Sequence, residues 1–319
     1  MVRKWRVIRR IWATAGSIVM VGFVGWSFLA YRATDEATNA LLGDARVEVT
    51  RREGYWWFAK RADTQAGTVG LLVFPGALVD PVGYAPLARA VAAAGFPVLL
   101  VELPWRGAFF AADGAAAIKR ARKAMQEAST VAHWVIAGHS RGAVVAALML
   151  RDHEREVSGL VLIGTTHPRD FSLAHVTVPV TKVVGTRDCI AAIRKSEGNR
   201  HLLPAATRWM VIEGGNHSQF GWYGFQPGDC FATIDRDRQQ QLTIRAVLDA
   251  LETVEGLFGA KSLTLYQALT PPLVRPQSAA LPREVINRTA LVPTWSFCRG
   301  GKRHSRVANL SGARASMST

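Results

Sequence analysis

Short apolar runs alternate with helical patterns along the middle of the chain. The runs are four to seven residues long and rich in Val, Ile and Leu, which is typical of strands buried on both faces of a sheet. They cover residues 70–74, 97–101, 134–137, 158–163, 178–184 and 208–212. Helices are predicted at 84–94, 115–128, 143–150 and 235–251, and a hairpin at 47–49 and 55–59 comes first. This order predicts an α/β fold, in which a mostly parallel sheet carries helices on both faces.

A different pattern precedes this domain. Residues 11–30 are twenty consecutive uncharged residues, enough to span ~30 Å as a helix. Five basic residues lie before the run, and only Arg32 and Arg46 lie within twenty residues after it. The positive-inside rule therefore predicts a cytoplasmic segment at 1–10, a single transmembrane anchor in the cell membrane, and an extracytoplasmic remainder. The alternative is a cleaved signal peptide, whose apolar region is normally shorter, at ~7–15 residues.

Composition divides the rest of the chain into a connector, a folded domain and a tail. Residues 31–44 are a polar, alanine-rich connector, and residues 45–256 carry the α/β pattern. We expect 257–319 to be a basic tail, largely disordered from Leu263, because prolines interrupt its periodicity. The net charge of +15 lies mainly at the two ends, and the middle of the chain carries only +2. A nearly neutral folded part argues against a nucleic-acid-binding protein.

The candidate chemistry centres on residues 138–142, which read G-H-S-R-G and match the pattern G-x-S-x-G. The motif lies between a predicted strand and a predicted helix, and this context favours Ser140 as a nucleophile on a sharp turn. The attacked carbonyl also needs backbone amides for its developing negative charge. We expect those amides at Arg141 and Ala77, with Gly76 as the alternative to Ala77.

A serine nucleophile needs a base, which follows it in the chain on this type of sheet. His217 follows the last predicted strand, in the glycine-rich string G-G-N-H. His201 lies between two strands and His304 lies in the tail. The sequence therefore favours His217 as the base.

The base in turn needs an acid that orients it. Asp188 follows the strand at 178–184, and its loop neighbours the loop of His217 in the assumed strand order. Asp170 follows the preceding strand and is the second choice. The predicted triad is thus Ser140, Asp188 and His217.

Motifs outside the serine turn point to one family. They are F-P-G at 74–76, V-D-P at 79–81, Y-A-P-L-A at 84–88, G-G-N-H at 214–217, F-G at 220–221, Y-G at 223–224 and Q-P-G-D at 226–229. Together with G-H-S-R-G they resemble the bacterial α/β-hydrolase family 5 over roughly residues 47–254. The resemblance implies an α/β-hydrolase fold, the triad Ser140, Asp188 and His217, no cofactor, and no particular natural substrate.

Three cysteines are present, at 189, 230 and 298, without a C-x-x-C pair, so no structural zinc or other metal site is expected. Cys189 adjoins the predicted acid and Cys230 follows the predicted base by thirteen residues; in the similar family glycine is usual at both positions. If the two loops are neighbours, an oxidising compartment favours a disulfide. The alternative, two buried thiols that never meet, is slightly preferred from the sequence.

The reaction that these residues predict is acyl transfer from a small-molecule or lipid ester to water. A carboxylic ester is the first choice, with a thioester or a lysophospholipid next. Residues 164–177 are too few for a lid domain, so we expect an open site. The alternative function is a catalytically silent, membrane-anchored binding domain. Six aromatic residues either line an acyl pocket or pack as ordinary loop residues: Phe109, Phe110, Phe220, Trp222, Tyr223 and Phe225.

Overall fold

The computed structural model describes residues 2–61, 68–107 and 111–269. The strands are β1 Val47–Arg52, β2 Tyr55–Lys60, β3 Val69–Phe74, β4 Val98–Val101, β5 His133–His139, β6 Gly159–Ile163, β7 Val180–Gly185 and β8 Arg208–Ile212. They form one sheet in the spatial order β1-β2-β4-β3-β5-β6-β7-β8. The pairs β1–β2 and β2–β4 are antiparallel and all the others are parallel. The predicted mostly parallel sheet is confirmed.

Helices cover both faces of this sheet. They are α1 Val2–Ala30, α2 Asp35–Asn39, α3 Ala85–Ala93, α4 Ala111–Glu127, α5 Arg141–Asp152, α6 Ile193–Gly198 and α7 Arg236–Leu269. Leu71 and Val73 of β3 face the layer of α3 and α7, whereas Leu72 and Phe74 face the layer of α4 and α5. Successive side chains of a strand point to opposite faces, so a strand covered on both sides must be apolar throughout.

The first helix contains the predicted anchor. Its segment Lys4–Ala30 is long and apolar enough to cross a membrane, and little of that segment is buried against the protein. A signal sequence near an N-terminus has the same features, so length and composition establish only a candidate span.

The connector packs onto the folded domain. Tyr31 is buried, and the guanidinium of Arg89 on α3 donates to the carbonyl oxygen of Ala40 and pairs with Asp44 at 2.6 Å. Its polar, alanine-rich sequence contains no periodicity that distinguishes a docked segment from a free linker.

The last helix is longer than predicted. Residues 257–269 were expected to begin the tail, with disorder from Leu263, but α7 continues to Leu269. The helix extends past the expected boundary at Gly256, because the residues after it are mostly good helix formers and the first proline comes only at Pro271. The remainder of the predicted tail, 270–319, lies outside the described residues.

Candidate active site

The predicted catalytic residues follow the ends of parallel strands. Ser140 comes directly after β5, Asp188 three residues after β7, and His217 five residues after β8. Because these strands run parallel, their carboxyl ends meet at one edge of the sheet. We call this the catalytic edge; it comprises the loops at 75–80, 102–107, 140, 164–179, 186–192 and 213–235.

Ser140 lies in a strained turn between β5 and α5. Its φ of +52° and ψ of −116° are unfavourable for a residue with a side chain. The turn depends on two glycines, since a Cβ on Gly138 would collide with the backbone of Gly142, and one on Gly142 with the carbonyl oxygen of Phe74. The local sequence thus forces the strand-to-helix turn that presents the Ser140 hydroxyl at the catalytic edge.

The acid and the base are in direct contact. Nδ1 of His217 lies 2.8 Å from Oδ2 of Asp188, and both side chains are almost completely buried. The other oxygen of Asp188 accepts hydrogen bonds from the amides of Ile190 (3.0 Å) and Ala191 (2.6 Å). A carboxylate at Nδ1 favours the imidazole tautomer whose Nε2 is free to accept a proton.

The hydrogen bond expected between Ser140 and His217 is not formed. Nε2 of His217 is buried and has no hydrogen-bond partner within the described residues, so Ser140 is not hydrogen-bonded to it. Such bonds are often long in a free enzyme and shorten when substrate binds.

The alternative acid and base lie on the surface. The Asp170 side chain is 70% exposed and pairs with Arg169 at 3.3 Å. His201 is exposed, with Nδ1 3.1 Å from the carbonyl oxygen of Gly198. Neither contacts the Asp188–His217 pair, and His304 lies outside the described residues.

The backbone amides expected to bind the oxyanion differ in whether they already donate a hydrogen bond. The amide of Gly76 donates to the hydroxyl of Tyr84 at 3.0 Å and is therefore occupied. The amides of Ala77 and Arg141 donate to no acceptor in the part of the chain that the structure describes. Arg141 is also the first residue of α5, where the helix dipole favours negative charge. The geometry thus favours Ala77 over Gly76.

A second histidine lies beside the base. The rings of His139 and His217 are 4.5 Å apart between centroids, and Nδ1 of His139 lies 2.7 Å from the hydroxyl of Tyr84. Burial, and secondarily the neighbouring His217, lowers the pKa of His139 well below its usual value. A neutral His139 places no second positive charge against the base. No sequence pattern indicates that His139 lies beside His217, because position 139 is a variable position of the motif G-x-S-x-G.

Cys189 and Cys230 form a disulfide, with their Cα atoms 5.3 Å apart. The slight preference for separate thiols is therefore wrong. Because β7 and β8 are adjacent, the loop of Asp188 lies beside the loop that follows His217. Sequence spacing alone does not provide the Cα distance that decides the pairing.

Asp229 binds the same two loops together. One carboxylate oxygen accepts from the amides of Cys189 (3.3 Å) and Cys230 (2.9 Å). The other accepts from both the amide and the hydroxyl of Ser218, at 2.8 and 2.7 Å. Asp229 thereby holds the residues that adjoin the acid and the base. In the sequence, Asp229 is part of the motif Q-P-G-D, which does not by itself indicate these contacts.

The predicted aromatic residues fall into different environments. Phe220 and Tyr223 are fully buried, which is ordinary core packing. Phe225 is exposed and stacks on Phe231, with ring centroids 4.9 Å apart. Trp222 is half-buried, and Phe109 and Phe110 lie outside the described residues.

Within the described residues, no group of three or more His, Cys, Asp or Glu side chains is arranged to hold a metal ion.

A family model that matches the chain agrees with this architecture. Residues 70–241, more than half of the chain, match the sequence model of the alpha/beta hydrolase family. No curated protein sequence matches the chain. Similar solved structures include TT1662 from Thermus thermophilus (19% identity, TM-score 0.48), which spans 65% of this chain and 99% of its own.

Two further similar structures carry functional descriptions. One is an α/β serine hydrolase without a lid from Xanthomonas campestris, with 16% identity, a TM-score of 0.48, and 66% and 97% coverage of the two chains. The other is a soluble variant of monoglyceride lipase from Saccharomyces cerevisiae, with 11% identity, a TM-score of 0.48, and 67% and 97% coverage.

Proposed function

Because the chain belongs to the alpha/beta hydrolase family, we propose that it is a serine hydrolase that cleaves a carboxylic ester. Ser140 is the nucleophile, His217 the base and Asp188 the acid that orients the base. The observation that carries the proposal is the buried 2.8 Å contact between His217 and Asp188, at the edge where a strained turn presents Ser140. Thioesters and lysophospholipids are the next candidate substrates.

In the first half of the reaction, Nε2 of His217 removes the proton of the Ser140 hydroxyl, and Oγ attacks the ester carbonyl carbon. The amides of Ala77 and Arg141 donate hydrogen bonds to the oxyanion that forms. His217 then gives its proton to the alcohol oxygen, which leaves. Water attacks the acyl-enzyme with His217 again as base, and the carboxylic acid departs from Ser140.

Burial of the Asp188–His217 pair makes this arrangement effective. The Asp188 carboxylate lies next to the imidazolium that forms during the reaction, and solvent screens their attraction little because both side chains are almost completely buried. The neutral His139 beside it adds no opposing charge. Both features favour the imidazolium that His217 becomes during the reaction.

We further propose that residues 1–10 are cytoplasmic, that 11–30 anchor the chain in the cell membrane, and that the hydrolase domain is extracytoplasmic. The excess of basic residues before the anchor supports this orientation. The Cys189–Cys230 disulfide also supports it, because disulfides persist in oxidising compartments. In this layout 31–44 connect the anchor to a domain that continues along α7, and a basic tail follows.

Labelling with a fluorophosphonate probe tests the proposed activity. The wild-type chain should be labelled and should hydrolyse a soluble p-nitrophenyl ester, and Ser140→Ala should lose both properties. Ser129→Ala, a matched change at an exposed serine far from the site, should lose neither. Labelling that persists in Ser140→Ala would contradict the assigned nucleophile. A wild-type chain without labelling or hydrolysis would favour the silent binding domain.

A further inference from the structure

The last turns of α1 pack against loops of the catalytic edge. Ser27 is completely buried there. The guanidinium of Arg106 donates to the carbonyl oxygen of Phe28 at 3.1 Å and lies 4.6 Å from the centroid of the Phe28 ring. Arg106 also pairs with Asp80 at 3.3 Å. The end of the helix is thus fixed to the loop that carries the oxyanion amide of Ala77.

The residues that follow α1 are fixed to the same edge. The carbonyl oxygen of Tyr31 accepts from the amide of Asp80 at 2.9 Å, and the Tyr31 ring packs edge-on against Tyr223 at 6.0 Å. The amide of Thr34 donates to the carbonyl oxygen of Trp222 at 3.0 Å. Tyr223 and Trp222 belong to the loop of His217. No free linker therefore separates the end of α1 from the catalytic edge.

These contacts determine how far the catalytic edge can lie from a bilayer. A span at 11–30 fills the ~30 Å hydrocarbon layer and ends at Ala30. Phe28 lies two residues before that end, which is ~3 Å along the helix axis. The loops that Phe28 contacts must then lie at the boundary between the hydrocarbon and the lipid headgroups.

The catalytic edge has the side chains that suit this position. Outside α1, the exposed Phe and Trp side chains of the described residues are Trp105 (78% exposed), Phe231 (76%) and Phe225 (41%). Trp105 follows β4, and the two phenylalanines follow His217, so all three are on the catalytic edge. Trp is enriched at membrane interfaces, and Trp and Phe are typical of the apolar face of helices that lie in an interface. Arg32 is also exposed, two residues after the last residue of α1, where a basic side chain reaches the headgroups.

We propose that the catalytic edge rests on the membrane that holds α1, with these three aromatic side chains among the headgroups. The substrate is then a lipid ester that enters from the same leaflet. Hydrolysis adds water across the ester bond, releasing a fatty acid and the alcohol that bore it. The substrate part of this inference rests on the proposed activity, whereas the docking rests on the proposed membrane span of α1, on the packing of its end and on the exposed aromatic side chains.

Fluorescence quenching tests the docking without catalysis. The full chain, with Cys298→Ser, is reconstituted in phosphatidylcholine–phosphatidylglycerol vesicles with its disulfide intact. A polarity-sensitive fluorophore is attached at Trp105→Cys or, as the control, at Ser129→Cys. Ser129 precedes β5 at the opposite edge, roughly 20 Å away for a strand of that length. Lipids with nitroxides near the headgroups should quench the label at position 105 several-fold more than the label at 129. Equal quenching would overturn the docking.

The source of the substrate is tested separately. Fluorescent diacylglycerol, monoacylglycerol and phosphatidylcholine are each placed either in the vesicles that hold the wild-type chain or in separate vesicles mixed with them. At least one lipid should be hydrolysed tenfold or more faster in the shared vesicles, and Ser140→Ala should hydrolyse none. Cleavage of a soluble ester but of none of the lipids would overturn the lipid substrate and leave the proposed function standing. Failure with every ester would overturn both, and the quenching result would still decide the docking.

Discussion

The exchange Asp188→Asn changes one atom of the candidate site and tests its logic closely. The side-chain oxygen of the asparagine can still accept from the amides of Ile190 and Ala191, so the loop keeps its shape. The new NH₂ group then faces Nδ1 of His217, 2.8 Å away in the wild type, and donates where the carboxylate accepted. His217 must carry its proton on Nε2, the nitrogen that has to accept the proton of Ser140. We expect kcat to fall about 10⁴-fold, which corresponds to a barrier higher by about 5 kcal/mol.

The assay is hydrolysis of p-nitrophenyl butyrate by the full chain in detergent, with thermal unfolding measured on the same samples. Asp170→Asn is the matched control, because it makes the same chemical change in a side chain that is 70% exposed. Its rate and melting temperature should remain within twofold and about 1 °C of the wild type. If Asp188→Asn folds normally and retains more than a tenth of wild-type activity, Asp188 does not orient the base.

The other predictions concern the same edge and its anchor. Ser140→Ala and His217→Ala should each abolish ester hydrolysis to a similar extent, because the residues act as one unit; a large difference in residual kcat would contradict this. Replacing Cys189 and Cys230 by serine should lower the free energy of unfolding by ~3–4 kcal/mol in a denaturant titration, and non-reducing peptide mapping of the wild type should find them linked. Tyr84→Phe leaves buried polar groups without a partner and should cost ~1–3 kcal/mol by the same titration. The chain should stay in membranes washed with carbonate, and protease added to spheroplasts should digest its domain; protection would refute the proposed orientation.

The fold could be predicted because apolar periodicity records burial directly. A run such as Leu71 to Phe74 is apolar at every position, since each of its faces packs against a helical layer. The candidate site could be predicted for a related reason. Ser140, Asp188 and His217 each follow a strand, and the carboxyl ends of parallel strands converge whatever the length of chain between them.

Features that depend on contacts between distant segments were missed. The carboxylate of Asp229 and the ring of His139 take their roles from neighbours that no local pattern reveals. The docking of Tyr31 on the catalytic edge was missed for the same reason, because a short polar segment looks alike whether it packs or not. Helix α7 is longer than predicted because the residues before the first proline, Pro271, are mostly good helix formers.

The loop that carries His217 is held from two independent sides. The disulfide and Asp229 hold it to the loop of the acid, and the connector after α1 holds it at Trp222. The side chain of Gln239 on α7 also holds the loop at Asn216. It accepts from the amide of Asn216 at 3.0 Å and donates to the carbonyl oxygen of Asn216 at 2.7 Å. A catalytic base must stay within a fraction of an ångström of its productive position, and these contacts on several sides of the loop favour that. The connector at 31–44 is therefore part of the frame that holds His217.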